Sequence, residues 1–145
     1  MLDKKIPFFA YVMATEYWRD IGTPESYLAA HLDLLDGTVK GFDIDRSGRA
    51  DVATAAHIDK LSVLGEGCVI KPNARVVNSV LGPGVHLEEK ASIENSVVWS
   101  HTRISGFAEI RDAVIGRSCH IGRNTAVGAG TVLGDKASLP DYSKV

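Results

Sequence analysis

The chain has 145 residues, of which 45% are hydrophobic and 23% charged, and its formal net charge is −2. This length suits one domain with a small appendage. The net charge gives no reason to expect the clustered basic surface that nucleic acid binding requires. No uninterrupted apolar stretch approaches the roughly 20 residues that span a bilayer. We therefore expect a protein that binds neither nucleic acid nor a membrane.

The first predicted element is a β-strand over residues 6–13, where the chain runs Ile-Pro-Phe-Phe-Ala-Tyr-Val-Met. Aromatic and β-branched side chains are typical of strands. Pro7 lies near the start of the run, where a missing backbone donor is tolerated. We therefore expect a short buried strand ahead of the rest of the fold.

A single α-helix is predicted from Pro24 to Asp36. Thr23 is a favourable N-cap, Pro24 occupies the first helical position, and Glu25 suits the positive end of the helix dipole. Gly37 is placed to end the helix. The apolar stripe along one side of this helix consists of Leu28, Leu32 and Leu35.

The remaining chain divides into a connector and a repeat domain. Residues 38–57 are polar and glycine-containing, whereas residues 58–145 carry aliphatic residues that recur every six or five positions. We expect the first coil, near residue 58, to be degenerate, because terminal repeats are often atypical. The aliphatic column consists of Leu64, Ile70, Val76, Leu81, Leu87, Ile93, Val98, Ile104, Ile110, Ile115, Ile121, Val127, Leu133 and Leu139.

A longer period fixes the shape of the repeat domain. Val76, Ile93 and Ile110 are 17 residues apart, so one coil contains two hexads and a pentad. This period matches neither an amphipathic helix nor an alternating strand, and repeats of this size bury their core only by stacking. The sequence therefore predicts a mainly β fold, a three-sided parallel β-helix. Glycines at the second hexad position are predicted at its corners, namely Gly65, Gly82, Gly116, Gly122, Gly128 and Gly134.

The two cysteines are predicted to be free thiols in the core. Cys68 and Cys119 occupy equivalent positions three coils apart. With strands about 4.8 Å apart, their Cα atoms should be separated by roughly 14 Å, well beyond the limit of about 7 Å for a disulfide. Buried free thiols are compatible with a cytoplasmic protein, which is the location we expect.

The order of motifs along the chain points to a family. Residues 17–24 run Tyr-Trp-Arg-Asp-Ile-Gly-Thr-Pro, and a helix and then hexads follow. This arrangement resembles the end of the catalytic domain of sugar-1-phosphate nucleotidyltransferases, above all the mannose-1-phosphate guanylyltransferase-like proteins. In those proteins the same motif leads into a left-handed β-helix of hexapeptide repeats. The resemblance implies that residues 1–37 correspond to the end of a catalytic domain and that residues 58–145 form a left-handed β-helix.

The resemblance also assigns a role to Asp20. In the family the matching aspartate helps to hold a divalent cation such as Mg²⁺, which prefers carboxylate oxygens. A second aspartate and a glycine-rich nucleotide-binding loop complete that site, and neither has a counterpart in this chain. A turn or capping acceptor is the competing and favoured role for Asp20. We therefore expect no cofactor in the isolated chain, no activity from it alone, and a role in oligomerisation or regulation.

An alternative function is that of a small hexapeptide-repeat acyltransferase. His86 and His120 are candidate general bases, because the ordinary pKa of histidine lies near the working pH. They lie two coils apart with Arg103 between them, and together they form a predicted His-Arg-His column on one outer edge. The hexads run without an inserted loop, which favours a solvated edge over a catalytic site. His101 lies at another hexad position, so no zinc site of converging histidines is predicted.

Self-association is also expected. A parallel β-helix leaves an open sheet edge at each end, and unpaired edges attract partners. We therefore predict a homodimer or homotrimer, or a complex with a separately encoded catalytic subunit.

Overall fold

The computed structural model describes residue 7 and residues 9–145. Within this part, one α-helix, α1 (Pro24–Leu35), precedes sixteen strands of two or three residues each. The strands are β1 (Asp51–Val52), β2 (His57–Ile58), β3 (Val63–Leu64), β4 (Val69–Ile70), β5 (Arg75–Val77), β6 (Val80–Leu81), β7 (His86–Leu87), β8 (Ser92–Glu94), β9 (Val97–Val98), β10 (Arg103–Ile104), β11 (Glu109–Arg111), β12 (Val114–Ile115), β13 (His120–Ile121), β14 (Ala126–Val127), β15 (Val132–Leu133) and β16 (Ser138–Leu139).

Every third strand joins the same sheet, which confirms the three-sided solenoid. Sheet A contains β1, β4, β7, β10, β13 and β16; sheet B contains β2, β5, β8, β11 and β14; sheet C contains β3, β6, β9, β12 and β15. All the pairings are parallel, and the register advances by whole coils, as in the partners Leu81 and Val98. The first and last coils are one residue longer, because Val52 pairs with Ile70 and Ile115 pairs with Leu133. The predicted coil length is therefore confirmed.

The aliphatic column forms the core. Leu87, Ile104 and Ile121 are fully buried in consecutive coils of sheet A, and the equivalent residues of the other sheets are buried in the same way. Burying each such side chain contributes about 1.5–3 kcal/mol. Leu133 and Leu139 are only partly buried, because they belong to the last coil and no further coil of the described chain stacks on them.

Buried hydroxyl groups connect the coils at one corner. Ser62, Ser79 and Ser96 recur every 17 residues and are at most 6% exposed. The hydroxyl oxygen of Ser79 accepts a hydrogen bond from the backbone N–H of Ser96 at 3.1 Å. The hydroxyl oxygen of Ser96 accepts from the N–H of Ala113, also at 3.1 Å. These bonds satisfy backbone donors that the sheet ladders leave free at the turn.

The corners have two backbone requirements. At Gly82, an added Cβ would lie 2.7 Å from the backbone nitrogen of Ser100 in the next coil, so a side chain does not fit. Two residues further along the hexad, the backbone turns through the left-handed region, where most side chains are strained. Gly84 has a φ of 67° and Phe107 a φ of 61°, so residues other than glycine also occupy this position.

The solenoid begins earlier than residue 58. Strands β1 and β2 lie in the stretch 38–57 and at its boundary, and they pair with β4 and β5. Val52 and Ile58 continue the aliphatic column backward in steps of six residues. Val52 is 39% exposed because no earlier coil of the described chain covers it. The predicted connector therefore contributes the first face of the first coil.

The predicted strand over residues 6–13 is not formed where the structure describes it. Residues 7 and 9–13 have no regular secondary structure, and residues 6 and 8 lie outside the described part. Phe9 and Val12 are 89% and 82% exposed. The physical reason is that a strand needs a neighbour for its backbone hydrogen bonds, and the three sheets of the solenoid are built from later residues.

Helix α1 agrees with its prediction except at the last residue, since Asp36 is the C-cap and not part of the helix. The helix lies over the outer face of sheet C, where residues of both elements line shared cavities. The outward residue of each strand of sheet C is a valine, and Val97 is only 4% exposed under this cover. This valine column consists of Val63, Val80, Val97, Val114 and Val132.

No helix in the described part of the chain is both long and apolar enough to cross a membrane.

Candidate functional site

A reciprocal cap fixes the start of α1. The hydroxyl oxygen of Thr23 accepts a hydrogen bond from the backbone N–H of Ser26 at 3.2 Å. The hydroxyl oxygen of Ser26 accepts from the backbone N–H of Thr23 at 3.1 Å. Two otherwise free donors of the first turn are satisfied in this way. The predicted N-cap is confirmed.

The motif of residues 17–24 is tied to the same helix. The Tyr17 hydroxyl donates to the carboxylate of Asp33 at 2.7 Å, and the Arg19 Nε–H donates to the same carboxylate oxygen at 2.8 Å. The hydrogen bond from Tyr17 and the charge of Arg19 hold the pKa of Asp33 below its usual value. This cluster is solvent-exposed, so it orients the motif and contributes little to stability.

Asp20 acts as a turn acceptor in the structure. Its Oδ1 accepts a hydrogen bond from the backbone N–H of Gly22 at 3.1 Å, and the residue is exposed. Among the residues that the structure describes, no three His, Cys, Asp or Glu side chains are grouped so as to hold a metal ion. The role of Asp20 as a metal ligand therefore stays a prediction from the family resemblance.

The structure brings the predicted histidine column together. His86, Arg103 and His120 occupy the same register on the adjacent strands β7, β10 and β13, and all three are exposed. With strands about 4.8 Å apart, the two histidines are separated by roughly 10 Å. The Arg103 guanidinium forms an ion pair with Glu88 at 2.7 Å. This arrangement fits the predicted solvated edge, and no described contact links the two imidazoles.

Both cysteines are buried free thiols, as predicted. The thiol of Cys68 donates to the carbonyl oxygen of Gly82 at 3.2 Å, and that of Cys119 to the carbonyl oxygen of Gly134 at 3.2 Å. Burial raises the pKa of the Cys68 thiol, because a thiolate is disfavoured in an apolar core. Neither thiol is placed to react at the surface.

The most distinctive cavity lies between α1 and sheet C. We call it the Trp99 pocket, and its volume is about 440 Å³. From the helix, the rings of Tyr27 and His31 approach with centroids 4.4 Å apart. From the solenoid, the guanidinium of Arg117 lies over the ring of Trp99 at 4.9 Å. The solenoid also contributes the rest of the lining, namely Val80, Gly82, Pro83, Val97, Val98, Ser100 and His101.

A second groove, with a volume of about 640 Å³, surrounds Phe107, whose ring has Lys90 and Arg123 each about 5.1 Å from its centroid. Its lining mixes Lys71, Arg103 and Arg123 with Glu88, Glu89 and Asp141. Charges of both signs therefore balance across this groove, which distinguishes it from the Trp99 pocket.

Comparison with known proteins places this geometry in a family. Residues 44–145 match the family model described as the LbH domain of the EIF2B epsilon subunit, where LbH denotes a left-handed β-helix. The chain belongs to that family. It is also similar to a glucose-1-phosphate adenylyltransferase from Acetivibrio thermocellus, with 32% identity over 89% of this chain and 36% of that protein. The chain thus spans about a third of the length of that curated relative.

These findings confirm the family resemblance drawn from residues 17–24 and the hexads. The chain corresponds to the carboxy-terminal, left-handed β-helix part of a sugar-1-phosphate nucleotidyltransferase. Sequence reasoning on this β-helix missed the Trp99 pocket. A signal was present, because Trp99 stands where neighbouring coils of sheet C carry Gly65, Gly82, Gly116 and Gly134.

Proposed function

We propose that this β-helix module serves oligomerisation or regulation of a sugar-nucleotide pyrophosphorylase and does not transfer nucleotides on its own. The observation that carries the proposal is the docking of α1 on the valine column of sheet C. Through the cluster of Tyr17, Arg19 and Asp33, that helix also holds the motif of residues 17–24. The solenoid therefore acts as a rigid support that positions the end of a catalytic domain.

The complete enzyme is proposed to be mannose-1-phosphate guanylyltransferase-like, with mannose 1-phosphate and GTP as substrates and Mg²⁺ as cofactor. The support for this choice is the sequence of residues 17–24. Asp20 is the proposed metal ligand, because an exposed carboxylate suits a hard cation. Glucose 1-phosphate and ATP are the competing pair, suggested by the name of the adenylyltransferase relative.

Self-association as a dimer or trimer, or binding to a separate catalytic subunit, is part of the proposal. Strand β16 is the last strand of sheet A, and its outer edge is unpaired in the described chain. Around that end of the solenoid, Val132, Tyr142 and Val145 are 49%, 75% and 51% exposed. Unpaired strand edges with exposed apolar neighbours are surfaces that pair with other chains.

Two measurements on the purified chain test this function. Pyrophosphate release is assayed with Mg²⁺ and either GTP and mannose 1-phosphate or ATP and glucose 1-phosphate, and we expect none in either case. Light scattering after size-exclusion chromatography is expected to give two or three times the chain mass of 15.6 kDa. Release of pyrophosphate would refute the non-catalytic role. A monomer that also fails to bind a co-expressed nucleotidyltransferase subunit would refute the assembly role.

A further inference from the structure

The outer face of sheet B carries opposite charges side by side. The middle residues of its strands, such as Ile93 and Ile110, are buried, so the residues on either side of them point outward. On β11 the outward residues are Glu109 and Arg111, whose side chains form an ion pair at 3.1 Å. These side chains are 56% and 59% exposed. No element of the described chain therefore covers this part of the face.

The two outward residues of each coil on sheet B are compatible with each other. None of the five pairs combines two charges of the same sign. The pair on the last strand is small, so it permits close approach of another surface. In order along the solenoid, the pairs are His57 and Asp59, Arg75 and Val77, Ser92 and Glu94, Glu109 and Arg111, and Ala126 and Gly128. Such a face is complementary to a copy of itself in which the strands run in the opposite direction.

We infer that the outer face of sheet B binds the same face of a second copy of this chain, with the solenoid axes parallel and the facing strands antiparallel. This two-fold arrangement places the first outward residue of each strand opposite the second outward residue of the same strand in the other copy. Glu109 then faces Arg111 of the second copy, and the reverse contact forms as well. Glu94 of the second copy lies over Ser92, which is the register partner of Arg75. Opposite charges therefore meet in two neighbouring places.

The other two faces do not offer this match. Helix α1 covers sheet C, where Val97 is only 4% exposed. On sheet A the ion pair joins Arg103 to Glu88 of the neighbouring strand. Reversing that face would place Glu88 opposite His86 and Arg103 opposite Ser105, so no two permanent charges of opposite sign would meet. Sheet B is thus the face that best fits a second copy.

The contact is expected to be small and dependent on salt. Five strands span about 20 Å, and interfaces of limited area are usually weak. Exposed ion pairs each contribute little, but Glu109 and Arg111 are already held together within one chain, so their ordering costs little on association. The inference rests on the proposed self-association and assigns it to the side of the solenoid, whereas the edge of β16 lies at its end.

Charge reversal tests this contact by sedimentation equilibrium at about 5–500 µM protein, the range suited to a weak dimer. Arg111→Glu leaves only carboxylates at this strand, and Glu109→Arg leaves only guanidinium groups. Each variant alone should dimerise at least about tenfold more weakly than the original protein. An equimolar mixture of the two variants should form a heterodimer, because every like-charge contact becomes a contact between opposite charges.

Two controls separate this effect from a general change of charge. Arg103→Glu and Glu88→Arg make the same reversals at the exposed ion pair of sheet A, and they should leave association unchanged. The double variant Glu109→Arg with Arg111→Glu exchanges the two charges and should dimerise as the original protein does. Circular dichroism checks that each variant is folded. If a single variant is not folded, the test is the original protein, whose dimer should weaken at least about threefold between about 50 and 500 mM NaCl.

Several results would overturn the inference. It fails if folded Arg111→Glu and Glu109→Arg associate as the original protein does, if their mixture forms no heterodimer, or if salt has no effect on the original dimer. A trimer would also exclude the two-fold contact, and in these cases the proposed self-association through another surface still stands. An original protein that stays monomeric up to about 500 µM would refute both the contact and the proposed self-association.

Discussion

The side-chain amide of Asn78 donates to the side-chain oxygen of Asn95 in the next coil at 2.9 Å. Asn95 in turn donates to Asp112 at 3.1 Å. All three residues stand at the same corner of successive coils with φ between 46° and 48°. Asparagine and aspartate tolerate this left-handed conformation better than other side chains, and here they also link coil to coil through their side chains.

Asn95→Ala should therefore destabilise the fold in two ways. It removes two half-buried hydrogen bonds and places alanine in the left-handed region. Together these changes should lower the free energy of unfolding by about 2–4 kcal/mol. Asn95→Gly removes the same bonds but suits the backbone, so its loss should be about 1–2 kcal/mol smaller. Urea unfolding of both variants measures the difference. Equal losses for alanine and glycine would show that backbone strain plays no part at this corner.

Gly82→Ala should destabilise the solenoid by about 1–3 kcal/mol, because its new Cβ would lie 2.7 Å from the backbone nitrogen of Ser100. Gly134 has the same hexad position, yet a Cβ added there meets nothing within 4 Å. Gly134→Ala is the matched control and should change stability by less than about 0.5 kcal/mol. Thermal and urea unfolding midpoints test the pair, and similar losses at both positions would contradict the steric explanation.

Asp59 should make the stability of the first coil depend on pH. Burial raises the pKa of Asp59, but hydrogen bonds from Ser62 and from the backbone N–H of Asn78 outweigh it, and the pKa lies below its ordinary value of 3.8. Since the unfolded chain binds this proton more readily, the carboxylate stabilises the fold above pH 3.8, and the contribution is lost as the pH falls through the folded pKa.

Asp59→Ala should accordingly lower the free energy of unfolding by about 1–3 kcal/mol at neutral pH, because a hydrogen-bond acceptor is lost. The difference in unfolding free energy between this variant and the original protein should narrow toward about pH 3. Urea unfolding across this range measures the gap. Asp43→Ala is the control, because Asp43 is exposed in the segment before the solenoid. A gap for Asp59→Ala that stays constant with pH would disprove the ionic contribution.

Thr23→Ala should loosen α1 without unfolding the solenoid. The change removes the cap that accepts from the N–H of Ser26 and costs about 1 kcal/mol. Hydrogen exchange at the amides of Leu28 and Leu32 should accelerate by about fivefold, while amides of sheet A keep their rates. Thr23→Ser keeps the oxygen acceptor and should exchange as the original protein does. Uniform acceleration in both regions would indicate that the helix and the solenoid unfold together.

The sequence was sufficient to predict the solenoid because each coil repeats the same local requirement. Inward residues such as Leu87 and Ile104 must be aliphatic, and the corner at Gly82 excludes a side chain, so the period appears directly in the sequence. The first face was harder to recognise. Val52 belongs to the column, but it has no coil before it and polar residues on both sides, so the pattern is weak there.

The position of α1 and the strand over residues 6–13 were not predictable in the same way. The valine column of sheet C indicates a covered outer face, but which element covers it depends on the path of the chain after Leu35, where the sequence has no period. The Trp99 pocket forms only because Tyr27 of the helix meets Trp99 of the solenoid. The run around Phe9 has strand-like composition, yet composition does not supply the neighbouring strand that it needs.

The serine corner makes the length of this molecule modular. Ser79 and Ser96 each present the following coil with the same acceptor in the same register. A second copy of residues 80–96 inserted after Ser96 would find in the coil below it a serine acceptor like the one that the coil beginning at Val80 finds now. Its own copy of Ser96 would offer the same acceptor to the coil that begins at Val97. The solenoid can thus grow or shrink by whole coils of about 4.8 Å each, while the final coil keeps its own contacts.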